Sequence, residues 1–368
     1  MNGSTVVVAM SGGVDSSIAA AMLHEQGYRV VGVTMKLWDY ASVGGNENLD
    51  RACCTIESMN DARSVCQKLG VPHYTVDLRQ AFEQSVIRDF VREYEAGRTP
   101  NPCVRCNSHI KWKVLLTKAR ALGADMIATG HYARIIRRDD GVAELRTGLD
   151  PKKDQSYALW GVPQETLRVT LLPLGSITKD ETRARAAALG LKTADKPESQ
   201  DICFIPDNDY GRFLTEWNER TGDASGSLEP GDVRDGGGNV VGTHRGVAHY
   251  TIGQRKGLGI AVGRPQFVTR IDASSKTIWV GEPEQLMQRR LTAHDANWSL
   301  GVPPESGQRV QARIRYAARP AAAMVESHED GTFAVVFDDA QRAITPGQSV
   351  VIYDGDLVLG GGVIQHAE

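Results

Sequence analysis

Along the first third of the chain, short runs of adjacent apolar residues alternate with longer stretches in which apolar positions recur every three or four residues. Residues 5–10, 29–37, 74–78 and 126–129 are of the first kind, and residues 16–26, 56–69, 81–95 and 111–122 of the second. A continuous apolar strand suits a sheet covered on both faces, and amphipathic helices supply the covers, so the pattern predicts an α/β unit with a Rossmann-like, doubly wound parallel sheet. Ligands on such sheets bind beyond the carboxyl ends of the strands, which points to the loops after Met10, Leu37 and Thr129.

After about residue 210 the texture changes to short alternating runs punctuated by glycine, at 239–243, 266–272, 277–280, 310–316, 321–326, 332–337, 349–353 and 357–364. This predicts two small antiparallel β units with a seam near 282–292. Asp235-Gly-Gly-Gly-Asn239 reads as a hairpin turn rather than a linker. The expected organisation is therefore 1–210, 211–285 and 286–368, in keeping with roughly 150 residues per domain for a chain of 368.

Composition narrows the class. At 41% hydrophobic and 24% charged residues the chain is neither disordered nor fibrous. It has no cationic N-terminal leader and no apolar run long enough to span a bilayer, so a cytoplasmic protein without a membrane partner is expected. Lys and Arg number 42 against 45 Asp and Glu, a formal charge of -3 that argues mildly against a polyanion. Locally the picture reverses. Residues 96–124 hold six basic side chains and no acid, residues 236–271 hold five and no acid, and residues 306–325 hold four arginines. Acid-free basic stretches suit phosphate contacts, although any one of them alone is more often a solvated face.

The apolar run ending at Met10 leads through Ser11-Gly12-Gly13-Val14-Asp15-Ser16-Ser17 directly into a helical pattern. Glycines let backbone amides approach a phosphate, serines add donors, and a helix N-terminus adds N–H groups and a positive dipole end. The bland alternative is a strand-to-helix turn capped by Asp15 or Ser16. The string is neither a Walker loop nor Gly-x-Gly-x-x-Gly.

All six cysteines (Cys53, Cys54, Cys66, Cys103, Cys106 and Cys203) lie in the first 203 residues. Cys103-Val-Arg-Cys106 follows a proline-stiffened loop and precedes a helix expected to begin near Asn107, which puts Cys106 at a helix N-terminus beside Arg105, where a thiolate is favoured. A zinc half-site would need a second Cys or His pair, which is missing. Cys53, Cys54 and Cys66 read as packing residues; Cys103, Cys106 and Cys203 read as redox or sulfur-carrying groups. His244 and His249 read as ordinary structural histidines.

Six strings, Met10-Ser-Gly-Gly-Val-Asp-Ser16, Asn101-Pro-Cys-Val-Arg-Cys-Asn107, Ala128-Thr-Gly-His-Tyr132, Lys153-Asp-Gln-Ser-Tyr157, Ser199-Gln-Asp-Ile-Cys-Phe204 and Tyr250-Thr-Ile-Gly-Gln-Arg-Lys-Gly-Leu-Gly259, resemble in content and order the tRNA 2-thiouridylases of the MnmA type. These belong to the PP-loop ATP-pyrophosphatases. The resemblance implies an adenine-nucleotide-hydrolase-like α/β domain followed by two small β domains, the last a β-barrel. It implies ATP with Mg²⁺ on Ala9, Met10, Ser11, Gly12, Gly13, Val14, Asp15 and Ser16, with Met35 and Gly130 at the adenine and ribose end and Asp15 near the metal. Cys203 would accept sulfur as a persulfide from a donor protein, the wobble uridine O2 of a tRNA would be adenylated, and Cys106 would close a disulfide with Cys203.

The tRNA contacts so implied are Asn101, Pro102 and Cys103 near the target base, then His131, Asp154, Gln155, Ser156, Arg315, Tyr316 and Gln348, on a chain expected to be monomeric. One position departs from the family, which has Asp where this chain has Cys103. That removes a candidate proton carrier and creates a three-thiol set, Cys103, Cys106 and Cys203, able in principle to hold a [4Fe–4S] cluster with one open iron. A small-molecule ATP-pyrophosphatase ligase would explain Ser11–Ser17 but not the thiols; an RNA-binding module would explain the basic stretches but not the loop.

Overall fold

The structure is a computed structural model describing residues 3–39, 55–196, 202–222, 226–260, 263–328 and 330–368. Strand β1 (Thr5–Ala9) is followed by helix α1 (Val14–Glu25), β2 (Arg29–Lys36), α2 (Ile56–Leu69), β3 (His73–Asp77) and β4 (Met126–Ala128), then by the hairpin of β5 (Ala133–Arg137) and β6 (Ala143–Thr147) and the short β7 (Thr170–Leu171). A parallel sheet runs in the order β3-β2-β1-β4-β7. The chain winds outward from β1 to β3 and then crosses to the far side, leaving a switch point between the carboxyl ends of β1 and β4. Val6, Val7 and Val8 are all fully buried. Val7 packs with Trp112 and Tyr157 on one face, and Val6 and Val8 with Ile18 and Leu23 on the other, which is why the apolar run is unbroken.

The second unit is a four-stranded sheet of β8 (Gly231–Arg234), β9 (Val240–His244), β10 (Phe267–Asp272) and β11 (Thr277–Gly281) in the order β10-β11-β8-β9. Asp235 and Asn239 close the expected β8–β9 turn through a 3.0 Å backbone bond. Two of its ladders are antiparallel, and the β8–β11 ladder is parallel.

The third unit is a closed barrel. β12 (Met287–Trp298), β13 (Arg309–Arg313), β14 (Ala321–Ser327), β15 (Phe333–Arg342), β16 (Ser349–Asp354) and β17 (Leu357–Ala367) run in the order β12-β15-β14-β13-β16-β17, and β12 pairs with β17 to close the ring. Residues 282–286 lie between β11 and β12, and β12 itself opens on the polar run Gln288-Arg289-Arg290.

Hairpin β5–β6 leaves the first unit and extends the barrel sheet, with Leu357 paired to Arg146 and both Arg134 and Arg146 bonded to Asp356 at 2.6 Å. Val351, Tyr353, Val358 and Val363 of the barrel share one apolar cluster with Tyr157, Trp160 and Val7. The barrel is therefore seated on the first unit by a common core, beside the helix that carries Cys103 and Cys106.

Candidate nucleotide and thiol site

Between β1 and α1 the chain turns at Ser11, Gly12 and Gly13. Gly12 has φ +74°, and a Cβ on it would stand 2.1 Å from the Ser58 carbonyl oxygen. Gly130, in the loop after β4, lies so close to the first turn of α1 that a Cβ would be 2.7 Å from the Asp15 carbonyl carbon and the Ser16 nitrogen. Only glycine lets these two loops meet. The N-cap of α1 is Gly13, without a side-chain cap; the bland alternative, a turn capped by Asp15 or Ser16, is not what forms. Instead the Ser16 and Ser17 hydroxyls donate to the Gly13 carbonyl at 3.2 and 2.8 Å, and the Ser11 amide donates to the Ser16 Oγ at 3.1 Å. The result is an uncapped helix N-terminus walled by glycine at the switch point, which suits an anion. Met35, near the end of β2, is half-buried and packs against the cluster that holds Val7, Ala9 and Trp112.

Asp15 is held from the side. The ammonium of Lys179, a residue only 6% exposed, sits 2.7 and 2.9 Å from its two oxygens, and the Tyr132 hydroxyl donates to Oδ1 at 2.9 Å with Thr182 Oγ1 also 2.9 Å away. Sequence reading missed both partners. Thr178 and Glu181 form a capping box around Lys179, so the local signal there is only a helix start.

The thiol helix differs from expectation. Helical structure begins at Pro102, with Asn101 as N-cap, and continues from Pro102–Arg105 through a π-helical stretch, Cys106–Val114, into Leu115–Ala121. Cys103 is therefore the residue in the first turn, and it is exposed; Cys106 lies a turn further in and is buried. The Arg105 guanidinium bonds Asp89 at 3.2 Å and Asp295 of the barrel at 3.3 Å. Helix N-termini begin where a capping side chain meets Pro at the first position, and Asn101-Pro102 supplies both.

Cys203 is half-buried and packs on the same apolar cluster as Cys106. Its neighbour Phe204 anchors the turn, with ring centroids 5.3 Å from Phe90 and Phe213 and 5.7 Å from Phe82. The structure thus brings Cys106 and Cys203 onto one cluster. Cys66 is a core residue under Gly32, its thiol pushed up to about 11 by burial; Cys53, Cys54 and the segment 197–201 lie outside the described residues. Among the described residues no three His, Cys, Asp or Glu side chains are grouped as metal ligands. Cys103, Cys106 and Cys203 therefore do not form an assembled donor set in this arrangement.

His131 joins the two halves of the site. Its Nδ1 lies 2.7 Å from Thr129 Oγ1 and its ring 5.4 Å from that of Trp112, which belongs to the thiol helix and is anchored to Thr170 by a 2.9 Å bond. Burial, with a smaller effect from Lys111, holds its pKa well below the ordinary imidazole value, so the ring is neutral at pH 7.

The residues that the resemblance tied to RNA fall into two groups. Cys103, Arg315 and Tyr316 are exposed. Asp154, Gln155 and Ser156 are bonded within the protein: Asp154 accepts from Arg313 at 3.0 Å, from the Ser156 hydroxyl at 3.0 Å and from the Gly148 amide at 3.0 Å, while Gln155 Oε1 accepts from the Tyr132 amide at 2.9 Å. Gln348 donates to Thr99 and Pro100 carbonyls at 3.0 and 3.1 Å. A cavity of about 340 Å³ opens between the Asn101–Ser108 face of the helix, Trp160 and the barrel residues Asp295 and Asn297. His244, as expected, is structural, its two nitrogens engaged by the Lys276 carbonyl and the Gly246 amide.

Residues 4–207 match the family described as "tRNA methyl transferase HUP domain", residues 224–282 its "PRC-barrel domain" and residues 288–364 the "Aminomethyltransferase beta-barrel domain". Whole-chain relatives carry a different name. Proteins called tRNA-specific 2-thiouridylase MnmA are 49% identical in Acetivibrio thermocellus, over 99% of this chain and 100% of theirs, and 52% identical in Heliobacterium modesticaldum, over 98% and 92%. The one from Carboxydothermus hydrogenoformans is 50% identical over 98% and 97%. The methyl transferase and aminomethyltransferase descriptions attach to separate domains, whereas the thiouridylase name attaches to proteins matching the entire chain at about half identity. The chain belongs to the MnmA family of tRNA-specific 2-thiouridylases.

Proposed function

We propose that the protein converts a uridine of tRNA into 2-thiouridine, using ATP to activate the base and the pair Cys106 and Cys203 to deliver sulfur. The observation that carries this reading is the joining of a glycine-walled anion cradle at the β1/β4 switch point to two cysteines packed on one apolar cluster. A triphosphate suits the cradle because the α1 N-terminus carries no side-chain cap, while Gly12 and Gly130 let the Ser58 and Asp15 backbones close in around it. Ala9 to Ser16, Met35 and Gly130 would hold the nucleotide, and Asp15, already oriented by Lys179 and Tyr132, would face its Mg²⁺.

In the first step O2 of the uridine attacks the α-phosphorus and pyrophosphate leaves. Chemistry at carbon 2 requires an unstacked base, received beside Asn101, Pro102 and Cys103. The terminal sulfur of a Cys203 persulfide, charged by a donor protein, then attacks carbon 2 and AMP leaves. Cys106 as thiolate attacks the Cys203 sulfur, which leaves the thiocarbonyl on the base and a Cys106–Cys203 disulfide; a dithiol reductant restores both thiols. Cys103 supplies no carboxylate, so the proton balance of these steps falls to solvent.

Protein, Mg-ATP, unmodified tRNA and a persulfide-charged donor should yield AMP and thiouridine together. Cys203→Ser and Cys106→Ser should each lower thiolation on the order of 100-fold or more, as loss of a covalent participant does. Full thiolation by Cys203→Ser would refute the carrier assignment. About four irons per chain after anaerobic purification, lost in Cys103→Ala, would move the sulfur chemistry to a cluster.

A further inference from the structure

The segment leading into the thiol helix contains Pro100 and Pro102, which have no N–H to offer neighbouring carbonyls, and the Thr99 and Pro100 carbonyls take their donors from far along the chain. The β units supply them. The Gln348 amide nitrogen donates to both Thr99 O and Pro100 O, at 3.0 and 3.1 Å, and Pro346 O accepts from the Thr99 amide at 2.9 Å. Gly347 passes so near that a Cβ would stand 2.9 Å from the Thr99 nitrogen. The Thr99 hydroxyl donates to that of Thr251, in the second unit, at 3.2 Å.

A second tie lies between the two cysteines of the helix. Arg105 reaches Asp295 at 3.3 Å, and Asp295 sits at φ +54° where the ladder of β12 with β17 shifts register. Aspartate is among the few non-glycine residues that take up this left-handed backbone readily, and from it the Asp295 carboxylate meets Arg105 and lies 3.4 Å from His294 Nδ1.

From these contacts we propose that Gln348 and Asp295 are positioning residues, through which the barrel fixes where the thiol helix starts and so which way Cys103 and Cys106 face. Both amide hydrogens of Gln348 are engaged by the loop. Its role is to hold the thiol segment rather than to grip RNA, and an RNA seated on the barrel can then be coupled to the thiols through this clamp. The inference rests on the thiol chemistry proposed above, but its physical part does not.

Gln348→Met keeps the volume and removes the donors; Asp295→Asn keeps the backbone preference and removes the charge. Four quantities are measured on the full chain: iodoacetamide labelling of Cys103 and Cys106 by peptide mass, tRNA Kd, kcat and KM for tRNA, and Tm. Losing both hydrogen bonds to the Thr99 and Pro100 carbonyls should speed Cys106 labelling at least about tenfold in Gln348→Met. It should lower kcat by a similar factor and leave tRNA Kd within about twofold. Asp295→Asn should act in the same direction more weakly, and serves alone if Gln348→Met unfolds. A weaker tRNA Kd with wild-type labelling and kcat overturns the proposal in favour of direct RNA contact, and unchanged labelling in both variants overturns it outright. If the wild-type protein forms no thiouridine, the thiolation reading fails while the labelling result still decides the clamp.

Discussion

Asp15 and Lys179 are the residues on which the nucleotide site balances. The ammonium is buried and lies within 2.9 Å of both carboxylate oxygens, while the Asp15 side chain is about one-third exposed at the mouth of the cradle. Lys179→Met would strand that carboxylate beside Tyr132. Because solvent reaches it, the loss of stability should be about 1–3 kcal/mol, below the 3–5 typical of a fully buried pair. Asp15→Asn added to Lys179→Met should recover most of the lost Tm, and AMP formation should stay low in both. Denaturant titration and an AMP assay check the two halves of that expectation. The loop itself was legible from Ser11 to Ser17, because glycine and serine spacing has a local meaning. Lys179 was not, since a lysine at a helix start carries no mark of the loop it meets 164 residues away.

The element that changed most between pattern and structure is the thiol helix. A start near Asn107 follows from the apolar periodicity of 111–122, yet Asn101 and Pro102 cap it a full turn earlier, which moves the exposed first-turn thiol from Cys106 to Cys103. The Arg105 guanidinium, which the sequence places beside Cys106, is also bonded to two carboxylates from different units. The Cys203 turn depends on a different device, the aromatic cluster around Phe204, which is 3% exposed. Phe204→Ala should cost about 3–5 kcal/mol. It should also loosen Cys203, so that thiolation from the donor protein falls by more than AMP formation does; comparing the two rates in one preparation tests this. β12 was missed for the opposite reason: its exposed and half-buried positions carry Gln and Arg, and closing a barrel needs pairing partners that only the later strands provide.

At the scale of the whole molecule, five histidines report on the packing. Burial is the main cause holding His73, His109, His131, His244 and His249 below the ordinary imidazole pKa. The unfolded chain then binds more protons than the folded one below about pH 6.5, so the stability these groups allow is fully present above that value and is lost as the pH falls toward their folded pKa values. Tm should decline between about pH 7 and 5.5, well before carboxylates titrate, and a flat profile over that window would contradict the burial of these rings. The chain-level charge of -3, taken alone, argued the wrong way about nucleic acid for a member of a tRNA-thiouridylase family, because acids and bases are segregated along the sequence.

By itself the sequence determined the parallel sheet, the glycine-rich loop and the β character of the second half, all of which follow from local periodicity or from short strings with their own physical meaning. Tertiary structure alone decided that Lys179 holds Asp15, that Cys106 and Cys203 share a cluster, that hairpin β5–β6 belongs to the barrel sheet, and that Gln348 secures the loop before Cys103. Those are contacts between residues tens to hundreds of positions apart, and each is set by which apolar faces find a common core, a property of the folded chain that no window of sequence contains.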